Sequence, residues 1–159
     1  MSEIVELLSS PVSRFSGRPA DGPAPAPDGE LVGAVHVRAG HGIVGDRYFN
    51  KRAHRSASVT LMAAEALPAG ASLAQTRRNV LLRGVDIDAL VGRDVELDSG
   101  DGPVRLRLNR PANRCAWMDV MVGPGTVARL KGRSGVRAEP LTDGVLRVGP
   151  VEVRVVSDD

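Results

Sequence analysis

The chain is poor in cysteine and in aromatic residues, and each shortage excludes something. One cysteine, Cys115, among 159 residues rules out an internal disulfide framework and any zinc or iron–sulfur site built from several cysteines of this chain. It agrees with a reducing compartment, and the expected location is cytoplasmic. Phe15, Tyr48, Phe49 and Trp117 are all the Phe, Tyr and Trp there is, too few for a platform on which successive single-stranded bases could stack. Basic residues number 21 against 19 acidic ones, a formal net charge of +2, which is too even for a nucleic-acid or anionic-membrane footprint. No apolar run approaches the ~18 residues of a membrane span. The first basic residue is Arg14, so the n-region of a signal peptide is missing. Neither nucleic acid nor membrane is an expected partner.

What is present is an ordinary globular mixture, 42% hydrophobic and 25% charged, long enough to bury a sizeable core. Residues 1–159 are expected to form one domain. Eighteen glycines and eleven prolines exceed what a helical bundle tolerates and point to short strands joined by turns. Residues 9–30 hold five prolines and the Asp21-Gly22 and Asp28-Gly29 turn pairs, which predicts an irregular, semi-rigid loop across the surface. Strands are predicted over Ile4–Leu8, Leu31–Val37, Ser58–Met62, Asn79–Val85, Gly135–Pro140, Val145–Val148 and Val151–Val156. Arg93–Asp98 and Val104–Leu108 flank Ser99-Gly100-Asp101-Gly102 as a hairpin, with Val95, Leu97, Val104, Leu106 and Leu108 alternating with charges. Short helices are expected at Ala63–Leu67, after Ser72 with Gln75 as a capping box, at Asp86–Val91, and from a Thr126 cap to Lys131. Many strands without a βαβ rhythm predict a mainly β fold: a closed or partly closed antiparallel β-barrel with a few short helices, since closure removes exposed edges.

Gly40, Gly42 and Gly45 spell G-x-G-x-x-G after a predicted strand. A dinucleotide site is rejected, because the third glycine should open a helix whose amides hold pyrophosphate. Here Asp46 puts a carboxylate there, and residues 47–55 show no apolar helical stripe. The same segment carries Arg47, Lys51, Arg52, His54 and Arg55, a local cationic patch in a neutral chain. Most such clusters are solvated faces, and nineteen of the 21 basic residues are arginine, so compositional bias competes with an anion site. Arg77-Arg78-Asn79 at a strand entry joins a guanidinium fork to an amide, a pair suited to a phosphate and a heterocycle edge.

Cys115 carries the sharpest signal, within Asn109-Arg110-Pro111-Ala112-Asn113-Arg114-Cys115-Ala116-Trp117. A lone cysteine is more often a small buried hydrophobe than a reagent, but this polar, proline-broken setting points to chemistry. Charges of Arg110 and Arg114 would favour the thiolate if they face the sulfur. A thiolate serves as nucleophile, persulfide carrier or soft metal ligand. No signature links Cys115 to His36, His41 or His54, which argues against a Cys-His hydrolase.

Together, Gly42-Ile43-Val44-Gly45-Asp46-Arg47, Val59 to Leu67, Arg77-Arg78-Asn79-Val80, Leu90-Val91-Gly92, Arg114-Cys115 and Asp143 to Gly149 resemble, in order and spacing, a MOSC domain. That module is named for the C-terminal part of molybdenum cofactor sulfurases. The likeness runs from about Leu31 to the end, with Ser10-Pro11-Val12 similar to the family's opening. It implies a β-rich barrel and an association with the molybdenum cofactor (molybdopterin). In members that reduce N-hydroxylated compounds, the cysteine matching Cys115 is the protein ligand to molybdenum. Arg77 and Asn79 match the residues at the pterin phosphate, Asp46 and Arg47 match a turn beside the pocket, and Asn113 and Arg114 flank the sulfur.

Departures from the family pattern narrow the reading. The second cysteine of many relatives is absent, and a His pair found after Gly-Asp-Arg in some is reduced to His54. Any electron-donor protein or cysteine desulfurase is expected to be a separate partner, with pyridoxal phosphate only on that partner. Three functions stay open at this point: a molybdenum-dependent oxidoreductase acting on a small-molecule substrate, a non-enzymatic sulfur carrier holding a persulfide on Cys115, and a barrel that binds a small anion without turnover.

Overall fold

The computed structural model describes residues 1–157. It is mainly β with a few short helices. The strands are β1 (Glu3–Leu8), β2 (Leu31–Val32), β3 (Ala34–Arg38), β4 (Gly42–Ile43), β5 (Val59–Ala63), β6 (Val80–Arg83), β7 (Asp94–Asp98), β8 (Pro103–Pro111), β9 (Val136–Pro140), β10 (Gly144–Arg147), β11 (Gly149–Pro150) and β12 (Glu152–Val156). The helices are α1 (Leu73–Thr76), α2 (Trp117–Met121) and α3 (Thr126–Arg129), with 3-10 turns at Pro19–Asp21, Arg52–Ala57, Ala64–Ala66 and Ile87–Leu90. Among the described residues no helix is long and apolar enough to cross a membrane.

Nine strands form one sheet in the order β11-β1-β6-β5-β9-β8-β7-β12, with β2 on β1, and β10-β3-β4 form a second. Of the expected closed or partly closed antiparallel barrel with a few short helices, the mainly β content and the short helices are observed, and the sheet is mixed where antiparallel pairing was expected. β5 and β6 pair in parallel, because residues 64–79 cross back through a 3-10 turn and α1 instead of a tight hairpin. The hydrogen-bonded order is also an open path, not a ring, although its two ends, β11 and β12, lie on one segment with Val151 alone between them.

Alternation explains the hairpin. Val95, Leu97, Val104, Leu106 and Leu108 are fully buried, each such side chain contributing about 1.5 to 3 kcal/mol. The outward register sets Asp94 opposite Arg107 and Glu96 opposite Arg105, and exposed pairs of this kind add little. The capping box at Ser72 forms as expected, Ser72 N donating to Gln75 Oε1 at 2.8 Å and Ala74 N to Ser72 Oγ at 3.1 Å. Thr126 does not cap; it is the first residue of α3, preceded by Gly125 as the cap, and its Oγ1 donates to Gly123 O at 2.6 Å. The predicted strand over Leu31–Val37 is interrupted at Gly33, giving β2 and β3 to different sheets.

Gly135 enters β9 with φ +95°, and a Cβ there would overlap the Leu61 carbonyl oxygen. Gly135→Ala is expected to cost more than about 1 kcal/mol, read as a lowered denaturant midpoint at unchanged slope. The Gly135 amide donates to Asp88 Oδ1 at 2.8 Å. Burial raises the Asp88 pKa, outweighing this hydrogen bond, which acts the other way. A carboxyl whose folded pKa is raised stabilises below its unfolded pKa and loses that contribution as pH rises through the folded value. Asp88→Asn, which keeps the acceptor, is therefore expected to stabilise the fold at neutral pH. The advantage should shrink on titrating below the ordinary carboxylate range, followed by denaturation midpoints across pH.

Candidate functional site

Six stretches of chain, Thr60 of β5 among them, converge on a cleft of about 350 Å³, within the range of small-molecule sites. Ser13, Arg14 and Phe15 enter from the long loop, and Arg47 and Tyr48 from the turn after β4. Thr76, Arg77 and Arg78 follow at the end of α1. Asn113, Cys115 and Trp117 come from the connection between β8 and α2, and Arg137 from β9. Arg77 takes the left-handed conformation (φ 64°) as the C-cap of α1, its N–H donating to Leu73 O at 2.7 Å. That turn sends the chain directly from helix into β6 and sets Arg77 and Arg78 on the cleft wall.

The lining holds five arginines, Arg14, Arg47, Arg77, Arg78 and Arg137, and no carboxylate. Two of the charges are answered from behind. Arg77 Nη1 donates to Glu30 Oε1 at 2.6 Å, both side chains buried, and its Nη2 to Val12 O at 3.0 Å. Arg47 Nη1 donates to Asp46 Oδ1 at 3.3 Å, its Nη2 to Arg77 O at 2.9 Å, and its guanidinium lies 4.4 Å from the Tyr48 ring centre. Asp46 is spent on this turn, accepting also from Ser10 N at 3.1 Å and Tyr48 N at 3.3 Å.

Arg78 is different. It is 8% exposed and bonds only neutral oxygens: Nε donates to Ser134 O at 3.2 Å, and Nη2 to Asn113 O, Ser134 O and Ser134 Oγ at 2.9 to 3.1 Å. Burial pushes its pKa down to about 10, with repulsion from Arg137 adding and the Cys115 and Tyr48 side chains acting in the opposite sense. It stays charged at neutral pH. Arg14 and Arg137 likewise bond backbone carbonyls only, Ala24 O at 2.7 Å and Ala57 O at 3.3 Å. Three guanidinium groups thus meet at one cleft without a bonded carboxylate, which is the electrostatic signature of an anion site.

Cys115 is half-buried, lines this cleft and packs on the edge of the apolar core. Arg78 lines the same cleft, and the Cys115 side chain is among the groups that act on its guanidinium. Arg110 and Arg114, the expected neighbours, are exposed and outside the lining; Arg114 Nη1 donates to Val127 O at 3.0 Å. Asn113 contributes both its place on the lining and its carbonyl to Arg78. Asn79 is fully buried and does not line the cleft. Its Oδ1 accepts from Thr60 N and Oγ1, both at 3.0 Å, and its Nδ2 donates to Leu8 O at 3.1 Å. It therefore locks β1, β5 and β6 behind the arginines.

Sequence reasoning missed Arg137, the role of Arg78, and the aromatic wall. Phe15 stacks on Trp117 with centroids 4.9 Å apart and planes 9° from parallel. The scarcity of aromatics, with one in the long loop and one just past Cys115, was the available signal. Among the described residues no group of three or more His, Cys, Asp and Glu side chains could hold a metal ion. A metal at Cys115 must then draw its other ligands from a bound molecule.

No protein-family model matches the chain, and no curated protein matches it. Solved structures do. The YuaD protein from Bacillus subtilis superposes with a TM-score of 0.72 at 14% identity, over 99% of this chain and 98% of that one. This chain shares the YuaD fold. YiiM from Geobacillus stearothermophilus gives 0.64 at 15% identity, over 99% of this chain and 76% of that one. YiiM from Escherichia coli gives 0.59 at 14% identity, over 100% of this chain and 71% of that one. At such identities the YuaD and YiiM likeness is one of fold.

Asn79→Leu would leave the Thr60 and Leu8 groups buried and unpaired at ~1 to 3 kcal/mol each. A loss of stability on the order of 3 kcal/mol is expected in urea denaturation, where a purely ligand-binding amide would show none.

Proposed function

We propose that the cleft binds the molybdenum cofactor, with Cys115 as the thiolate ligand to the metal, and that the chain reduces N-hydroxylated compounds using an external electron donor. The observation that carries this reading is Arg78, a buried guanidinium without a bonded carboxylate, beside a half-buried thiol. The resemblance to the MOSC family and the fold common to YuaD and YiiM support it.

The residues fit the group. Arg78, Arg137 and Arg14 supply unanswered positive charge for a phosphate, Cys115 supplies one soft ligand, and the pterin supplies the sulfur donors that the chain lacks. Arg77 and Arg47, neutralised by Glu30 and Asp46, offer polar edges at less electrostatic strength. Asn113 holds the cysteine segment through Arg78, Arg114 fastens the same segment to α3, and Asn79 and Asp46 position the arginines. When bound, the cofactor supplies a metal that accepts oxygen from the substrate. Reducing an N–OH compound to the amine breaks the N–O bond, consumes two electrons and two protons, and releases water. The Phe15–Trp117 stack gives an apolar wall to the cleft that Cys115 lines, and Tyr48, with the Arg47 and Arg137 guanidiniums 4.4 and 5.5 Å from its ring centre, adds a phenol to the same lining.

Protein purified under gentle conditions is expected to carry molybdenum and pterin fluorescence. Cys115→Ala should lose the metal, and Arg78→Gln and Arg137→Gln should each weaken retention about tenfold or more, the range of a lost charged hydrogen bond. Molybdenum retained equally by Cys115→Ala removes the proposed ligand. Labelled sulfur passing from a cysteine desulfurase to Cys115 in metal-free protein would instead favour the persulfide carrier.

A further inference from the structure

Outside the cleft, some exposed arginines meet carboxylates, Arg83 with Glu3 at 2.8 Å, Arg107 with Asp94 at 3.1 Å, and Arg154 with Glu96 at 2.7 Å. Others, such as Arg93, Arg129 and Arg133, stand in solvent without an ion pair among the described residues. Lys51, Arg52, Arg55 and Arg110 are exposed and form no ion pair among the described residues.

These four belong to one surface that continues the cleft wall. The 3-10 turn Arg52–Ala57 packs on β9 and β8, fixed by Arg137 Nη1 to Ala57 O and by Asn109 Nδ2 to Ser56 O at 2.8 Å. His54 of that turn lies 4.8 Å from the Tyr48 ring, which lines the cleft. Arg110 stands directly opposite Arg137 in the β8–β9 register, and like charges so placed are destabilising. The carboxylate further along the ladder, Glu139, faces Arg107, so it does not answer them. What sets these four apart from the other unpaired cations is that they cluster beside the cleft mouth, with Arg110 set against Arg137, an arrangement that suits an outside counter-charge.

We propose that this rim is the docking surface for an acidic electron-donor protein. The choice of an electron donor rests on the molybdenum reading above; the charge argument does not. A carboxylate-rich face set against Arg52, Arg55 and Arg110 would place the donor at the cleft mouth, and long-range attraction would speed encounter at low salt.

The test uses the full chain with two acidic probes, a plant-type [2Fe–2S] ferredoxin and a flavodoxin, and measures association as salt is raised. At least one is expected to bind, with affinity falling steeply across physiological ionic strength. Arg52→Glu with Arg55→Glu should weaken that binding about tenfold or more. Arg129→Glu with Lys131→Glu, the same charge change on other exposed residues without ion pairs, should leave it nearly unchanged. Cys115→Ala should bind the probe as well as the parent chain does, so failure of the metal ligand and failure of the rim give different results. Absence of salt-sensitive binding to both probes, equal loss in the two charge-reversed variants, or tighter binding of a short DNA duplex at the rim would each overturn the proposal.

Discussion

The site depends on burying Arg78 without a counter-ion. Desolvating a charge is costly, and a carboxylate partner would normally offset it. Here the offset comes from neutral oxygens of Ser134 and Asn113. That choice fixes geometry without cancelling charge, since a carbonyl orients a guanidinium but leaves its field to reach into the cleft. It also joins α1's end, the cysteine segment and the approach to β9 at one group. Moving any one of them disturbs the field at Cys115.

The two buried ion pairs do different work. Glu30 and Asp46 lie at the end of the long loop and in the turn after β4, and each holds an arginine of the cleft while closing a loop onto the sheet. Asp46 accepts from Ser10 N, and Arg47 N donates to Ser10 O at 2.7 Å, so the loop's start is tied to the same turn. Buried pairs are weak sources of net stability but costly to break on one side. Their consequence is order: residues 9–30 are held against the cleft although they have little regular structure, which brings Phe15 onto Trp117.

What was readable in the sequence was mostly local. The β7–β8 hairpin follows from strict alternation, and the α1 start from Ser72 and Gln75, because both signals are complete within a few residues. The break at Gly33 was hidden because apolar residues continue on both sides of it. The parallel β5–β6 pair was hidden because pairing direction depends on where a crossing lands. Cys115, Arg77 and Arg47, singled out by residue chemistry and motif order, line one cleft. Arg137 was invisible, since an arginine on a strand with polar neighbours looks like any solvated residue until the β8–β9 register sets it beside Arg110. Asn79 shows the opposite failure: an amide next to arginines suggests a ligand, yet the parallel strand pair turns it inward to Thr60 and Leu8.

The position of Cys115 bears on which chemistry suits it. One side packs on the core edge and the other lines the arginine cleft, and its segment is held at Asn113 by Arg78, at Arg114 by Val127 O, and by Cys115 O accepting from Met118 N at 2.9 Å. A sulfur that hands its cargo to a second protein must reach that protein's active site, which needs an open approach or a segment free to swing. A sulfur that ligates a metal gains from being held still, because preorganised ligands lose less entropy on binding. The restraints on both sides of this thiol therefore favour the ligand role over the carrier role, independently of the charge around it.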